Sequence, residues 1–298
     1  MPNRQCAYFG NTDASFHALV GDGKHRQAER IQTFRCQACH TTFSARRNTP
    51  LYRLKTPSHQ VAMVLSALAE GLDPSAASRV FGFRQATITT WLTCAGEHAQ
   101  TLHKRCFRHL HLPHLQLDEI RTRLHPSRQV LWLWLAIDPR TKLLPVLHLG
   151  PRTQHMAHLL IHSLRERLAP CCLPLFTSDG LNLSFYALTA HFGRWHHVAC
   201  RGRNMLRWQV AKDLIYGQVK KCYRRRKLVR VTPTLRLRTE AALTATLQGL
   251  GFSRRLNKAF IERVNLTVRH GMAALARRTW VTSQQAPQLL AHLEWWRA

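Results

Sequence analysis

The sequence predicts a mixed α/β fold for residues 113–298, preceded by two small N-terminal units at 1–48 and 55–100. Three observations predict it. Between 115 and 191 the patterns run strand, strand, strand, helix, strand, helix, an order that gives a sheet covered on its faces. Over 257–280, Ile261, Val264, Val268, Met272 and Leu275 recur at three- and four-residue steps, the period of an amphipathic helix. The first 48 residues are too few for a core of their own, yet they hold Cys6 and a Cys36-Gln-Ala-Cys39 knuckle.

Charge narrows the partners. The 298 residues hold 44 Lys and Arg against 15 Asp and Glu, a formal net charge of +29. Such a field attracts polyanions, with double-stranded DNA ahead of an anionic membrane surface. The longest apolar run, 130–137, is far too short for a membrane span, and no apolar signal segment follows the start. Nine unevenly spread cysteines, three of them before residue 40, fit metal binding better than a disulfide frame. The expected compartment is the cytoplasm.

Taken in order, 1–48 reads as a zinc-ribbon-like segment. Phe34-Arg35 before the knuckle and Thr42-Phe43 after it form short hairpin strands. Cys6, Cys36 and Cys39 supply three of the four ligands that tetrahedral zinc takes, and His25 or His40 could supply another. The alternative is a ribbon-like fold without metal.

Residues 55–100 read as a helix-turn-helix. Pro57 opens a helix with Val61, Val64, Leu65 and Leu68, and Gly71 stops it. Asp73-Pro74 opens a short second helix ending at Gly82, and a third runs from Gln85 through Ile88, Trp91 and Leu92. Arg84, Gln85, Thr87 and Thr89 at the start of the third helix suit phosphates and base edges. A plain three-helix bundle is the alternative. Residues 101–115 read as a connector with solvated histidines.

Strands are expected at 115–120, 129–137, 143–149 and 173–178, and helices at 155–167 and 183–191. Asp138-Pro139 makes a turn between the second and third strands. A basic insertion follows at 194–250, and 220–230 alone carries seven Lys and Arg. Lys220, Lys221, Arg224, Arg225 and Arg226 would track phosphates, unless the run is only a solvated loop. Trp195, Trp208, Tyr216 and Tyr223, interleaved with these charges, suit contacts to unpaired or distorted bases. Pro287 opens a last helix with Leu289, Leu290, Leu293 and Trp296.

Acids are scarce, so their positions are informative. Asp118 lies in the first strand of the α/β region, Asp179 at the end of a later one, and Glu262 beside the apolar stripe of the helix at 257–280. Strand ends are where such sheets place ligands. Convergent carboxylates repel one another unless cations intervene, and two Mg2+ or Mn2+ ions would serve and would support in-line displacement at phosphorus. The competing reading pairs Glu262 with Arg263 or Arg269 as a surface ion pair. Glu119 is expected on the opposite strand face in a structural role, and Asp138 in its turn.

The motifs LDEIRT at 117–122, TSDGL at 177–181 and AFIERVNLTVRHGMAALARRTW at 259–280 together resemble the DDE transposases of small bacterial insertion sequences, nearest to the first-numbered insertion-sequence family. FRCQACHTTFS at 34–44 and the helix-turn-helix resemble the DNA-binding half of the same proteins. The resemblance implies a ribonuclease-H-like catalytic domain with Asp118, Asp179 and Glu262 as its metal triad, and Arg269 among the DNA contacts. It implies cleavage at element ends by water, attack of the freed 3′-OH on target DNA, and assembly as a homo-oligomer on DNA in the bacterial nucleoid. Met1 stands where such relatives carry a cysteine, and the chain ends in the EWWRA segment beyond which they continue. These departures imply either a miscalled start or a truncated and partly inactive copy. The rival functions are an inactive copy that acts only as a DNA-binding repressor, and a nuclease that hydrolyses without joining strands.

Overall fold

The computed structural model describes residues 2–298 apart from 12, 14, 27, 28, 126, 201, 202, 226, 277–282 and 284. Strands β1 (Leu19–His25), β2 (Ile31–Cys36) and β3 (Thr42–Ser44) form a small antiparallel sheet. Three helices follow: α1 (Ser58–Ala69), α2 (Pro74–Phe81) and α3 (Gln85–Cys106). Glu29 joins the two units. It accepts both Arg46 guanidinium N–H groups at 2.8 Å and the Ser58 N–H at 2.6 Å, and Arg46 foremost holds its carboxyl down to about 2.

Local chemistry explains the helix boundaries. Asp73 caps α2 by accepting from the Ser75 and Ala76 N–H groups at 2.8 and 3.1 Å, and Pro74 suits the first turn. The left-handed φ of 73° at Gly82 ends α2, and the Ser78 hydroxyl donates to Phe83 O at 2.6 Å to fix the turn into α3. Helix α3 runs six residues into the expected connector, because it packs along the C-terminal helix α8 (Ala286–Arg297). There buried His103 meets Glu294 at 2.9 Å, and Glu294 also accepts from Arg297 at 2.7 Å.

The main sheet has the order β11-β10-β7-β4-β5-β6. Its strands are β4 (His114–Arg123), β5 (Val130–Ile137), β6 (Leu147–Gly150), β7 (Leu175–Ser178), β10 (Tyr216–Arg224) and β11 (Lys227–Leu237). Strands β4, β7 and β10 run parallel, whereas β5 is antiparallel to both of its neighbours. Strand β6 is shorter than expected because Asp138 accepts from Arg140 N, Thr141 N and the Thr141 hydroxyl, which widens the turn before it.

Helices cover both faces. Leu115, Leu117, Trp134 and Phe176 pack against α4 (Gln154–Arg167) and α5 (Asn182–His191), through Leu160, Ile161, Leu164 and Leu188. Ile120, Leu133 and Leu135 pack against α7 (Ala259–Gly271) and α8, through Ile261, Val268, Leu289 and Leu293. Between β11 and α7 lies α6 (Glu240–Gly249). The two-residue alternation of a strand thus sends Leu115, Leu117 and Glu119 to one layer and Gln116, Asp118 and Ile120 to the other.

In the basic insertion the alternative of a solvated loop does not hold. Residues 220–224 and 227–230 form the outer part of the β10–β11 hairpin, paired from Tyr216↔Leu237 to Arg224↔Lys227. A separate ribbon pairs β8 (Gly193–Cys200) with β9 (Arg203–Val210). The amphipathic helix expected to run to 280 ends at Gly271, with extended backbone at Met272 and a short 3-10 turn at Ala273–Leu275; residues 277–280 lie outside those described. Its apolar stripe, Ile261, Val264, Val268, Met272 and Leu275, does enter the core. Among the described residues no helix is long and apolar enough to cross a membrane.

The α3–α8 packing is tight at Gly96, where an added Cβ would lie 2.1 Å from Ala291 O. Gly96→Ala is therefore expected to cost about 1–3 kcal/mol through backbone displacement. Gly249→Ala, at the open end of α6 with nothing within 4 Å, serves as the neutral control. Thermal unfolding followed by circular dichroism should show a lower melting temperature for the first variant alone.

Candidate metal centre

The centre lies where β4 and β7 separate. Their pairing runs from His114↔Leu175 to Gln116↔Thr177 and goes no further. Asp118 and Glu119 extend beyond the last pair, and Asp179 follows the end of β7. Each of the three offers a carboxylate oxygen within 4.8 Å of the other two.

This corrects the expectation for Glu119. It does point to the α4 side of the sheet and Asp118 to the α7 side, but the gap beyond β7 lets both carboxylates reach a common space. Only 4% of the Glu119 side chain is exposed, and burial first, then Asp179 and Asp118, pushes its carboxyl up to about 7. Arg152 opposes this, 3.2 Å from Glu119 Oε2 and 3.8 Å from Asp179 Oδ2. Its guanidinium lies 4.6 Å from the centre of the Trp132 ring, which fixes its direction.

Helix α7 furnishes the other wall. Buried Lys258 places its ammonium 3.2 Å from Asp118 Oδ1, and Asn265 Nδ2 donates to Asp118 Oδ2 at 2.8 Å. Asn257 Oδ1 accepts from the Ala259 N–H at 3.3 Å just before the helix, whose N-cap position is Lys258 rather than Asn257. Glu262 does not join the close trio, because Lys221 on β10 pairs with it. It faces Asp179 across a cavity of about 550 Å3, lined also by Arg152, Lys220, Lys221, Tyr223 and Lys258.

The donor set fits a divalent metal. Carboxylate oxygens are the hard ligands that Mg2+ takes, and their crowding disfavours full ionisation until a cation is present. Asn265 Oδ1 is buried and has no hydrogen-bond partner among the described residues, which leaves an oxygen donor beside Asp118. Asp138 stays in its turn, fully buried, with its oxygens taken up by Arg140 and Thr141.

Lys258, Arg152 and Gln116 are site residues that sequence reasoning misses. Lys258 precedes the amphipathic stripe and has the pattern of an ordinary basic residue. Gln116 does carry a signal, a lone amide between Leu115 and Leu117 in an otherwise apolar strand start. It is buried, accepting from Ile261 N–H at 3.0 Å and donating to Asn257 O at 3.0 Å.

The expected DNA contacts divide. Lys220, Lys221, Arg224 and Arg225 are exposed on the β10–β11 hairpin, the first two at the cavity rim; Arg226 lies outside the described residues. Arg84 and Gln85 are exposed and Thr87 is half-buried. The Thr89 hydroxyl donates to Gln85 O at 2.9 Å, and both residues line a cleft of about 890 Å3 facing Ala273, Ala274 and Gln288. Arg269 is half-buried on α7, two turns past Glu262. Tyr216, expected among base-contacting aromatics, is fully buried and bonded to Ser178 at 2.7 Å, whereas Tyr223 and Trp195 are exposed.

A second group of donors lies at the N-terminus. Cys6, Cys36 and Cys39 bring their sulfurs within 4.8 Å of one another, with Cys6 and Cys36 3.8 Å apart. Thr41, through its hydroxyl and then its N–H, pulls the Cys39 thiol down to about 6, towards the thiolate that zinc takes. Neither His25 nor His40 joins the group among the described residues; the His25 ring bonds Thr33 Oγ1 at 3.0 Å instead.

No protein-family model matches the chain, and no curated protein matches it.

The buried carboxyl and the thiol group can each be tested. Glu119 has an ordinary pKa of 4.5 when unfolded and about 7 when folded, so the folded chain holds this proton more tightly. Its stabilising contribution is complete below pH 4.5 and is lost as pH rises through 7, a difference on the order of 3 kcal/mol. Without divalent cations, the wild-type protein should therefore lose more stability between pH 5 and pH 8 than Glu119→Gln, as read by urea unfolding at ~25 °C. Equal losses would show that the carboxyl is not protonated in the fold. For the thiol group, zinc held by the three sulfurs would be lost in Cys36→Ser, so a chelator assay should find more zinc on the wild-type chain than on the variant. Unchanged zinc would place that ion elsewhere.

Proposed function

We propose that the chain is a DDE-type transposase, which binds the ends of an insertion element and carries out metal-dependent DNA cleavage and strand transfer. The observation that carries this reading is the meeting of Asp118, Glu119 and Asp179 beyond the end of β7, with Glu262 across the same cavity. A mixed sheet, with β4, β6, β7 and β10 in one direction and β5 and β11 reversed, covered by helices on both faces, is compatible with a ribonuclease-H-like domain, and we propose this as the finer description of the α/β fold. The formal charge of +29 supports a DNA partner.

In this reading Asp118 and Asp179 hold the metal, with Glu119 beside them and Glu262 released from Lys221. Bound Mg2+ or Mn2+ supplies activation of the attacking oxygen and stabilisation of the leaving one. The chain positions the strand. Lys220, Lys221, Arg224 and Arg225 hold phosphates along the hairpin beside the cavity. Lys258 and Arg152 keep the acids fixed and offset their repulsion. Arg84 and Gln85 on α3 meet the element ends, and two or more copies assemble on paired ends.

One observation favours the alternative of a DNA-binding repressor without catalysis. Asp118, Asp179 and Glu262 each have a basic partner in this chain: Lys258, Arg152 and Lys221. A cleavage and joining assay on labelled element ends in Mg2+ or Mn2+, run beside a gel shift, separates the readings. Asp118→Asn, Asp179→Asn and Glu262→Gln should each lower cleavage by roughly a thousandfold, a loss of several kcal/mol, with end binding retained. Glu119→Gln, expected from sequence to be mild, should join them. Binding without cutting by the wild-type chain would establish the repressor, and cutting without joining a nuclease. For the hairpin, Arg224→Ala with Arg225→Ala should flatten the slope of log K against log salt by about 0.9 for each phosphate no longer neutralised, equally on all sequences.

A further inference from the structure

The β8–β9 ribbon has no part in the acid site, and its register divides its side chains into two faces. Residues opposite one another share a face, so Trp195 with Trp208 and His197 with Leu206 form one, and Arg194 with Gln209 and His196 with Arg207 form the other. The first face holds a built aromatic pair. Trp208 is fixed from below: its Nε1 donates to Thr189 O of α5 at 2.8 Å, and its ring sits against Gly193, where an added Cβ would lie 2.6 Å away. Trp195 packs edge-on against it, with ring centres 5.5 Å apart at 71°, and remains 64% exposed. A large apolar ring is thus held at the surface by an anchored neighbour, which limits the entropy cost when a partner stacks on it.

Charge decides what that partner is. From Gly193 to Lys212 the sequence has five Lys and Arg and no Asp or Glu. A polyanion with accessible π faces fits this surface. Paired duplex has its bases already stacked on one another, whereas an unpaired base offers a free face that an aromatic side chain can take without regard to sequence. Helix α5 starts just beyond Asp179 and leads to the ribbon after ten residues, about 15 Å at 1.5 Å per residue.

We infer that the β8–β9 ribbon is a further nucleic-acid contact, where Trp195 stacks on an unpaired base of a DNA strand that also reaches the acid cluster. This rests on the DNA-binding reading above and adds a substrate feature to it: unpaired nucleotides a short way from the cleavage point. The Arg194 and Arg207 face meets the strand's phosphates by charge.

The test uses the full chain and two labelled probes, a fully paired duplex and the same duplex with a single-stranded tail, compared by fluorescence anisotropy. Trp195→Ala should weaken binding to the tailed probe about 5- to 100-fold, the range for removal of one base–aromatic stack, and leave the duplex within about twofold. Trp195→Phe should restore most of the tailed affinity. A 2-aminopurine in the tail should be quenched by the wild-type protein and not by Trp195→Ala. Equal weakening on both probes, or none on either, would overturn the inference. So would a change in sedimentation with DNA affinity intact, which would assign the face to a second copy of the chain. If the wild-type chain binds neither probe, the DNA reading itself falls; if it binds and cuts duplex while Trp195→Ala keeps full tailed affinity, only the stacking site falls.

Discussion

Gln116 is the contact on which the candidate site depends. It lies in the last residue pair between β4 and β7, and its buried amide holds both Asn257 O and Ile261 N–H at 3.0 Å. One side chain therefore fixes the start of α7 against the strand that carries Asp118. Lys258, Glu262 and Asn265 take their positions from that start, within two turns of the helix. Without the amide, the part-buried Asn257 carbonyl and the buried Ile261 N–H would each lose this partner, and an unpaired buried N–H is rarely tolerated.

The second constraint is electrostatic. Three carboxylates lie within 4.8 Å, and burial first, then the charges of Asp179 and Asp118, raises the Glu119 carboxyl to about 7. The chain offsets this with Lys258 at the start of α7 and Arg152 just before α4, while Lys221 on β10 pairs with Glu262 across the cavity. Lys258 and Arg152 are well placed to hold the acids in position and to attract phosphate. Their charges also compete with any divalent cation, so affinity for metal alone should be modest and should rise when a phosphate backbone neutralises them.

Much of this is legible in the sequence, and the limits have physical causes. The strand pattern from 115 to 191 and the stripe from Ile261 to Leu275 are readable because alternation and helical period are local properties. Asp73-Pro74, Gly82 and Asp138-Pro139 mark their turns for the same reason. Pairing at a distance is not readable. The length of α3 depends on α8, 191 residues away between His103 and Glu294. The hairpin at 216–237 has the composition of a charged loop, since seven basic residues mask the strand pattern that pairing with β7 makes possible. Alternation gives only the face of Glu119, and a gap between two strands cannot be foreseen from either one. Lys258 and Arg152 do not stand out as site residues because a chain with 44 Lys and Arg offers no contrast.

The most direct test of this account is metal binding at the acid cluster in the presence and absence of Lys258. Mn2+ titration followed by electron paramagnetic resonance can be run on the full chain, Asp118→Asn, and Lys258→Met. The account predicts weak Mn2+ binding in the wild type, none at this site in Asp118→Asn, and roughly tenfold tighter binding in Lys258→Met, about 1.4 kcal/mol, as the competing charge is removed. Mn2+ binding of equal strength in all three proteins would contradict it, because the carboxylates would then be an ion-paired surface group and the metal would be held elsewhere.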